Sequence, residues 1–243
     1  FVAVIAFSFA GEEAWASPQS GAEAVIEITS GRVLFENNAD KPLPMASTTK
    51  ILTAIIIVED CRLDAEVSIP KEAVGVEGSS IYLVEGERMT VKDLLYGLML
   101  RSGNDCATAL ALYHSGSIET FAKEMTLRAQ KMGAENSHFL NPHGLPQKGH
   151  ETTAKDLAKI AAYALRNREF SDIVGTKEFT IPDGGCGYAR KLINKNKMLS
   201  MFEGADGVKT GYTKEAGHCL VTSATRGNMR LVSAVLDSPD MYG

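Results

Sequence analysis

The segment Ser47-Thr48-Thr49-Lys50 places a hydroxyl and a primary amine three positions apart. Residues 48–59 are mostly apolar and contain neither Gly nor Pro, so they predict a buried helix that begins close to Ser47. Positions i and i+3 share one face of a helix, and the two side chains can therefore touch. A serine attacks a carbonyl when a base removes its proton, and a lysine can be that base if burial or another cation lowers its pKa. The spacing indicates nucleophilic chemistry.

Taken alone, this spacing is weak evidence, because such a tetrapeptide often arises by chance. A simple helix cap at Ser47 with Lys50 in solvent explains it as well. Two further segments, Ser102-Gly103-Asn104 and Lys209-Thr210-Gly211, follow in that order at domain-scale separations. The three segments in this order resemble the motif set of penicillin-binding proteins and class A beta-lactamases.

The elements that would position these motifs follow from periodicity and turn residues. Runs at 24–28 and 32–36 around Thr29-Ser30-Gly31 predict an N-terminal hairpin. Helices are predicted from Thr90, over 106–113, from Ser117 to Gly133 and from Thr153 to about Asn167. Strands are predicted at 178–181, 220–224 and 230–236, with a glycine-rich loop at 183–187. Strands at both ends with helices between them favour an α/β (α+β) fold with an antiparallel sheet.

Charge and cysteine content exclude several classes of function. The net charge is -5, and the Lys and Arg residues are scattered, so we expect no nucleic-acid partner. Four cysteines are too few and too widely spaced for a disulfide framework or a zinc site, and we interpret them as core residues with one disulfide possible. They are Cys61, Cys106, Cys186 and Cys219.

The N-terminus has features of an export signal. Residues 1–10 are almost entirely apolar but too few to span a bilayer, and Ala14-Trp15-Ala16 has the small-x-small pattern of a cleavage site. We predict that 1–16 is the remnant of a secretory signal peptide and that 17–243 is a catalytic domain. A buried N-terminal strand or helix is the alternative.

Four segments together resemble the low-molecular-mass penicillin-binding D-alanyl-D-alanine carboxypeptidases, and the resemblance covers nearly everything after the signal. They are Pro44-Met45-Ala46-Ser47-Thr48-Thr49-Lys50, Leu100-Arg101-Ser102-Gly103-Asn104-Asp105, Asn141-Pro142-His143-Gly144-Leu145-Pro146 and Gly204-Ala205-Asp206-Gly207-Val208-Lys209-Thr210-Gly211-Tyr212-Thr213. The resemblance implies the penicillin-recognising serine transpeptidase and beta-lactamase fold, with no cofactor and no metal.

The resemblance also implies roles for eight residues. Ser47 would be the nucleophile, Lys50 its general base and Ser102 a hydroxyl that relays protons. The substrate-binding residues would be Asn104 on the substrate amide, Lys209 and Thr210 on the terminal carboxylate, Gly211 on an open strand edge, and Tyr212, whose backbone N–H would form an oxyanion hole with that of Ser47.

The implied reaction is removal of the terminal D-Ala from peptidoglycan stem peptides that end in D-Ala-D-Ala, with beta-lactams as covalent inhibitors. The enzyme would act outside the cytoplasm, at the outer face of the membrane or in the cell wall. In this family an arginine usually follows the strand predicted to end near Leu236, and none is present there. Family members also continue into a second, all-beta domain and often a membrane anchor, so we expect 17–243 to be truncated at its C-terminus.

Three other functions stay open. A DD-endopeptidase would use the same residues, and a non-catalytic penicillin- or peptidoglycan-binding domain would keep the pocket. A beta-lactamase is disfavoured because no Glu-x-x-Leu-Asn pattern lies between the second and third motifs. Other polar residues are given structural interpretations: His143 as a hydrogen-bonded loop anchor, Glu85 and Glu87 as parts of a solvated turn, and Asp206 as a turn or cap residue.

Overall fold

The computed structural model describes residues 20–242, so the predicted signal peptide lies outside the described residues. The strands are β1 (Ala22–Glu27), β2 (Val33–Asn37), β3 (Glu66–Ser68), β4 (Arg88–Thr90), β5 (Glu178–Ile181), β6 (Arg190–Ile193), β7 (Ala205–Thr213), β8 (Gly217–Arg226) and β9 (Met229–Ser238). The helices are α1 (Lys50–Asp60), α2 (Val91–Leu100), α3 (Asn104–Ser115), α4 (Ile118–Lys131), α5 (Ala154–Ala164), α6 (Arg168–Gly175) and α7 (Met198–Met201).

One antiparallel sheet joins the two ends of the described chain. Its strand order is β2-β1-β9-β8-β7, so the N-terminal hairpin pairs with β9 and strand β7 forms one edge. Turns at Thr29-Ser30-Gly31 and Arg226-Gly227-Asn228 connect β1 to β2 and β8 to β9, so the predicted N-terminal hairpin is confirmed. The predicted α+β class with an antiparallel sheet is also confirmed.

The helices form the centre of the chain and pack on the sheet and on one another. In helix α1 eight consecutive residues, Lys50 to Ile57, are buried, as its continuous apolar sequence predicts. The predicted cap residues Thr90, Ser117 and Thr153 each accept a hydrogen bond from the backbone N–H three positions on, and they begin helices α2, α4 and α5. No helix of residues 20–242 is both long and apolar enough to cross a bilayer.

Several elements differ from the sequence predictions. Helix α5 ends at Ala164 and not near Asn167, because the Asn167 side chain caps a separate helix, α6. Strands β3 and β4 have only three residues each, too few for an alternating pattern to identify them. Strand β6 was missed because one of its two buried positions is a charged residue, Arg190, while the apolar Ile193 is exposed. Asp206 is a residue of strand β7 and not of a turn; its carboxylate accepts hydrogen bonds from Ser223 and Thr225 on the neighbouring strand.

Glu87 is not part of a solvated turn, and that prediction was wrong. Its side chain is buried and forms an ion pair with Arg190, which lies more than 100 residues further along the chain. Glu85 is exposed, as predicted. The core interpretation of the cysteines holds for Cys106 and Cys219, which are buried; the thiols of all four are free.

Candidate active site

Ser47 lies on a short 3-10 helix, Ala46–Thr49, that continues directly into α1. Side-chain hydroxyls stabilise this turn: Thr48 Oγ1 donates to the Met45 carbonyl at 2.5 Å, and Thr49 Oγ1 donates to the Ala46 carbonyl at 2.8 Å. Thr48, Thr49 and Lys50 are buried, whereas Ser47 is half-buried. The turn therefore leaves the Ser47 hydroxyl accessible from one side and surrounds the Lys50 amine with protein.

The Lys50 amine has three oxygen neighbours. Its Nζ lies 3.0 Å from Ser47 Oγ, 2.7 Å from Asn104 Oδ1 and 2.5 Å from the carbonyl oxygen of His143. The structure thus brings the first two motifs and the Asn-Pro-His-Gly-Leu-Pro segment to one point. The solvated Lys50 of the helix-cap alternative is wrong, because Lys50 is fully buried.

Asn104 and Ser102 occupy the junction between α2 and α3. The Asn104 Nδ2 donates to the carbonyl of Glu77 at 2.5 Å, which orients the amide so that Oδ1 faces Lys50. Ser102 is buried and has a positive φ of 64°. Within residues 20–242 its hydroxyl forms no hydrogen bond, so the proton-relay role stays a prediction.

Burial lowers the pKa of Lys50 well below its usual value of 10.5, and the positive charge of Lys209 lowers it further. Burial, followed by the charge of Lys195, lowers the pKa of Lys209 to about 7. Both effects disfavour the ammonium form: desolvation penalises the charge and a like charge repels it. The neutral amine is therefore favoured at Lys50 far more than at an exposed lysine.

Strand β7 brings the third motif against the Ser47 turn. Lys209, Thr210 and Gly211 are buried, and the Tyr212 side chain is exposed. A Cβ atom on Gly211 would lie 3.0 Å from the backbone nitrogen of Ser47 and 3.1 Å from that of Thr48. Any larger residue would push the strand away from the turn, so the glycine is needed for close approach.

Sequence reasoning missed the most direct contribution of His143, which is its backbone carbonyl. The ring accepts a hydrogen bond from the Leu145 N–H at 3.2 Å, as a loop anchor would, while the carbonyl accepts from Lys50. The next residue, Gly144, has a φ of 90°, and a Cβ there would lie 1.8 Å from the Ala46 carbonyl oxygen. The turn residues around His143 and Gly144 are evident in the sequence. A contact made by a backbone carbonyl does not depend on residue type, so the sequence does not indicate it.

A second missed feature is the segment 77–83, which borders the same site. Ser79 accepts a hydrogen bond at its carbonyl from the Asn104 N–H at 2.7 Å, and at its hydroxyl from Lys195 Nζ at 2.9 Å. The Asp105 carboxylate accepts from the N–H groups of Ile81 and Leu83. Asp105 follows the second motif directly, so one short segment positions both Asn104 and the loop beside it.

Comparison with protein families agrees with this geometry. The family described as Peptidase S11, D-alanyl-D-alanine carboxypeptidase, matches residues 11–240. The chain belongs to this family of serine hydrolases, and the resemblance drawn from its motifs is confirmed.

Two carboxypeptidases of known name are similar in sequence to most of this chain. The chain is 38% identical to the D-alanyl-D-alanine carboxypeptidase DacF of Bacillus subtilis, over 87% of this chain and 55% of the relative. It is 37% identical to DacC of Escherichia coli, over 94% of this chain and 60% of that relative. The chain thus spans less than two thirds of the length of these two relatives.

The fold is that of a solved relative. The crystal structure of the Streptomyces K15 DD-transpeptidase superposes with a TM-score of 0.88 at 33% identity and covers 94% of each chain. The D-alanyl-D-alanine carboxypeptidase DacD from Francisella tularensis gives a TM-score of 0.85 at 27% identity, covering 95% of this chain and 70% of that one. The predicted penicillin-recognising fold is therefore confirmed.

Proposed function

We propose that the chain is the catalytic domain of a serine-type D-Ala-D-Ala carboxypeptidase, which removes the terminal D-Ala of peptidoglycan stem pentapeptides through an acyl-enzyme on Ser47. Membership of the S11 family supports the reaction class. The arrangement around the Lys50 amine supports the identity of the nucleophile and its base, and it is the observation on which the proposal chiefly rests.

The neighbours of Lys50 match the hydrogen-bonding capacity of a neutral amine. The Asn104 Oδ1 and the His143 carbonyl can only accept hydrogen bonds, so they take up two N–H groups of the amine. A neutral –NH₂ has two such groups and one lone pair. The ammonium form would donate to the third neighbour, Ser47 Oγ, as well. In the neutral form that N–H is absent, and Ser47 Oγ, 3.0 Å away, can donate its own proton to the lone pair. This is the arrangement that a general base for Ser47 requires.

The proposed reaction consists of acylation of Ser47, release of D-Ala and hydrolysis of the ester. Ser47 Oγ attacks the carbonyl carbon of the penultimate D-Ala while its proton moves to Lys50 Nζ. The tetrahedral oxyanion would accept hydrogen bonds from the backbone N–H groups of Ser47 and Tyr212. The C–N bond breaks, and the proton reaches the leaving amine of D-Ala from Lys50 through Ser102. Water, activated by Lys50, hydrolyses the ester.

Strand β7 would bind the substrate peptide along its edge. A D-Ala-D-Ala end offers amides that can pair with a strand and a carboxylate that needs a cation. Lys209 supplies the positive charge and Thr210 a hydroxyl for that carboxylate. The Asn104 Nδ2 uses one N–H on Glu77, which leaves its second N–H for a carbonyl of the substrate.

The partners and the location follow from the substrate. We expect the protein to act on peptidoglycan outside the cytoplasm, as an exported enzyme, and to be acylated by beta-lactams, whose strained amide would be attacked by Ser47 in the same way. A membrane association through a segment beyond 243 stays a prediction.

A second candidate differs only in what cleaves the acyl-enzyme. The relative from Streptomyces K15 carries the name D-alanyl-D-alanine carboxypeptidase, whereas its solved structure is called a DD-transpeptidase. The same acyl-Ser47 ester could be transferred to an amine instead of water, and a DD-endopeptidase would form it from a cross-linked peptide. Supplying a labelled D-amino acid with an acyl-Lys-D-Ala-D-Ala peptide separates transfer from hydrolysis: exchange of the label into the peptide indicates transfer, and free acyl-Lys-D-Ala indicates hydrolysis.

The test of the proposal compares the parent with Ser47→Ala and with a matched control, Ser200→Ala, which removes an exposed hydroxyl on α7. Labelling by a fluorescent penicillin and release of D-Ala are both measured. We expect both activities in the parent and in Ser200→Ala, and neither in Ser47→Ala. A folded parent that is not labelled and releases no D-Ala would leave the non-catalytic binding domain as the better description.

A further inference from the structure

His150 is a buried histidine that sequence reasoning left without a function. Only 4% of its surface is exposed, and the Phe139 ring packs against it edge to face, with ring centroids 5.9 Å apart. It lies just before α5 in sequence but beside the Ser47 turn in space. Its Nε2 is 2.9 Å from Thr49 Oγ1, across 101 positions of sequence.

The partners of the imidazole determine which nitrogen carries the proton. The backbone N–H of Leu140 donates to Nδ1 at 2.9 Å, so Nδ1 must be the unprotonated acceptor. The proton of a neutral ring is then on Nε2, which donates to Thr49 Oγ1. The Thr49 hydroxyl proton in turn donates to the Ala46 carbonyl at 2.8 Å. The series of hydrogen bonds from the Leu140 N–H to the Ala46 carbonyl therefore runs in a single direction, and each donor in it has an acceptor.

The chain of hydrogen bonds ends on a strained residue next to the nucleophile. Ala46 has a φ of 46°, in the left-handed region that a residue with a Cβ rarely adopts. Such a conformation persists only where the surroundings over-determine it. Thr49 holds the Ala46 carbonyl from one side, and Gly144 closes on it from the other. The direction in which Ser47 leaves this turn therefore depends on both contacts.

The surroundings keep the ring neutral. Burial, followed by the charges of His138 and Lys50, lowers the pKa of His150 to about 4. His143, a further histidine of the same segment, has a pKa lowered to about 3 by burial, then by the charges of Lys50 and His150. A protonated His150 would direct a second N–H at the Leu140 N–H and would lose that hydrogen bond, while Nε2 would still donate to Thr49.

We propose that His150 is a positioning residue for the nucleophile: as the neutral Nε2–H tautomer it orients Thr49, which holds Ala46 and so aims Ser47. The inference rests on the proposed role of Ser47 and adds a residue that touches no reacting atom. It predicts that the rate of acylation depends on a hydrogen-bond donor at the Nε2 position.

Two substitutions separate this role from general support of the fold. In His150→Gln the longer side chain can place its amide N–H at the Nε2 position, so the donor to Thr49 remains. In His150→Asn the shorter side chain reaches only the Nδ1 position, so the acceptor for Leu140 remains and the donor to Thr49 is lost. Each variant loses one hydrogen bond: the Gln variant loses the one from the Leu140 N–H, and the Asn variant loses the one to Thr49. His138→Gln, at an exposed histidine of the same segment, is the control.

The measurement is the second-order rate constant for acylation by a fluorescent penicillin, corrected for the folded fraction. We expect a decrease on the order of 10- to 100-fold in His150→Asn, as for a small misplacement of a reacting group, and a rate close to the parent in His150→Gln and His138→Gln. Equal rates in the Asn and Gln variants, whether fast or slow, would overturn the proposal. If His150→Asn does not fold, Thr49→Val and Thr49→Ser test the next hydrogen bond of the series, which holds the Ala46 carbonyl. The valine variant lacks the hydroxyl, and we expect its acylation to be slow, whereas the serine variant keeps the hydroxyl.

A readout that needs no activity keeps this inference distinct from the proposed function. In two-bond ¹H–¹⁵N spectra of ¹⁵N-histidine-labelled protein, we expect His150 to be the Nε2–H tautomer. We expect it to remain neutral at about pH 5, because its pKa is lowered to about 4. An Nδ1–H tautomer, or a cation at that pH, would overturn the inference even in an enzyme that is fully acylated. A parent that is not acylated at all would instead contradict the proposed function.

Discussion

The site and the loop beside it bury charge in opposite ways. Glu87 and Arg190 form a closed ion pair, and the guanidinium also donates to the carbonyls of Ile81 and Tyr82. Lys50 and Lys209 are equally buried, yet within residues 20–242 neither forms an ion pair with a carboxylate.

This difference separates a structural use of buried charge from a chemical one. The Glu87–Arg190 pair satisfies its charges, and it fixes the backbone around Tyr82, which has a positive φ of 61° and an exposed side chain. The two lysines are left without a counter-ion, so their protonated forms are disfavoured and their pKa values fall. The first arrangement holds the loop that borders the site, and the second favours the neutral amine that the proposed base requires.

Replacing Lys50 by Met should have the largest effect, because it removes the proposed base and leaves the Ser47 hydroxyl intact. We expect acylation by a penicillin to slow by about 10²- to 10⁴-fold, the usual contribution of a general base. Lys92→Met, at an exposed lysine on α2, is the control and should react as the parent does. An acylation rate in Lys50→Met equal to that of the parent would remove Lys50 from the mechanism.

Breaking the buried ion pair should mainly reduce stability. In Arg190→Met the Glu87 carboxylate is left buried without its partner, and we expect the free energy of unfolding in urea to fall by about 3–5 kcal/mol. The double variant Glu87→Leu/Arg190→Met should lose less than the two single changes added together, because no charge is then stranded. Additive losses would show that the two side chains do not act as a pair.

Lys209 should make stability depend on pH in the direction opposite to an ordinary surface lysine. Its pKa is about 7 in the folded protein and near 10.5 when unfolded, so the unfolded chain binds more protons between these values. The free energy of unfolding should therefore rise with pH from 7 towards 10.5, and this contribution is lost as pH falls through that range. Lys209→Met should have a flatter profile, measured by urea unfolding at several pH values; parallel profiles would contradict the assignment.

Lys195 should give the smallest effect, since it is exposed and its contact with the segment that borders the site is a hydrogen bond to the Ser79 hydroxyl. Its charge lowers the pKa of both Lys50 and Lys209. In Lys195→Gln the Lys50 pKa should rise, so the acid limb of the pH profile for acylation should move to higher pH. High salt should move the parent in the same direction, because it screens an exposed charge. A shift to lower pH would rule out this electrostatic coupling.

Much of the fold was predictable where local signals were strong. The caps at Thr90, Ser117 and Thr153 and the turn at Thr29-Ser30-Gly31 specify their elements through short-range hydrogen bonds and backbone preferences. Strand β6 was not predictable, because its buried positions are Arg190 and Leu192 and the apolar Ile193 is exposed, so apolar and polar residues do not alternate along it. Helix α6 was missed because its cap, Asn167, was interpreted as the end of the preceding helix.

The site was predictable in its side chains and not in its backbone. The SxxK spacing places Ser47 and Lys50 on one face of a helix, and the structure brings them to 3.0 Å. The His143 carbonyl and the Glu77 carbonyl could not be predicted, since any residue has a carbonyl. Glu87 was misinterpreted because a glycine beside two acids is typical of a solvated turn, and its partner Arg190 is distant in sequence.

The proposed mechanism requires that burial and the charge of Lys209 favour the neutral Lys50 amine, which can accept the proton of Ser47. NMR titration of ¹³Cε-lysine-labelled protein, with the Lys50 signal assigned by its absence in Lys50→Met, measures this directly. A Lys50 amine that titrates well below 10.5, with a pKa that rises in Lys209→Met, is the predicted result. An ammonium that persists up to about its usual pKa would contradict the account.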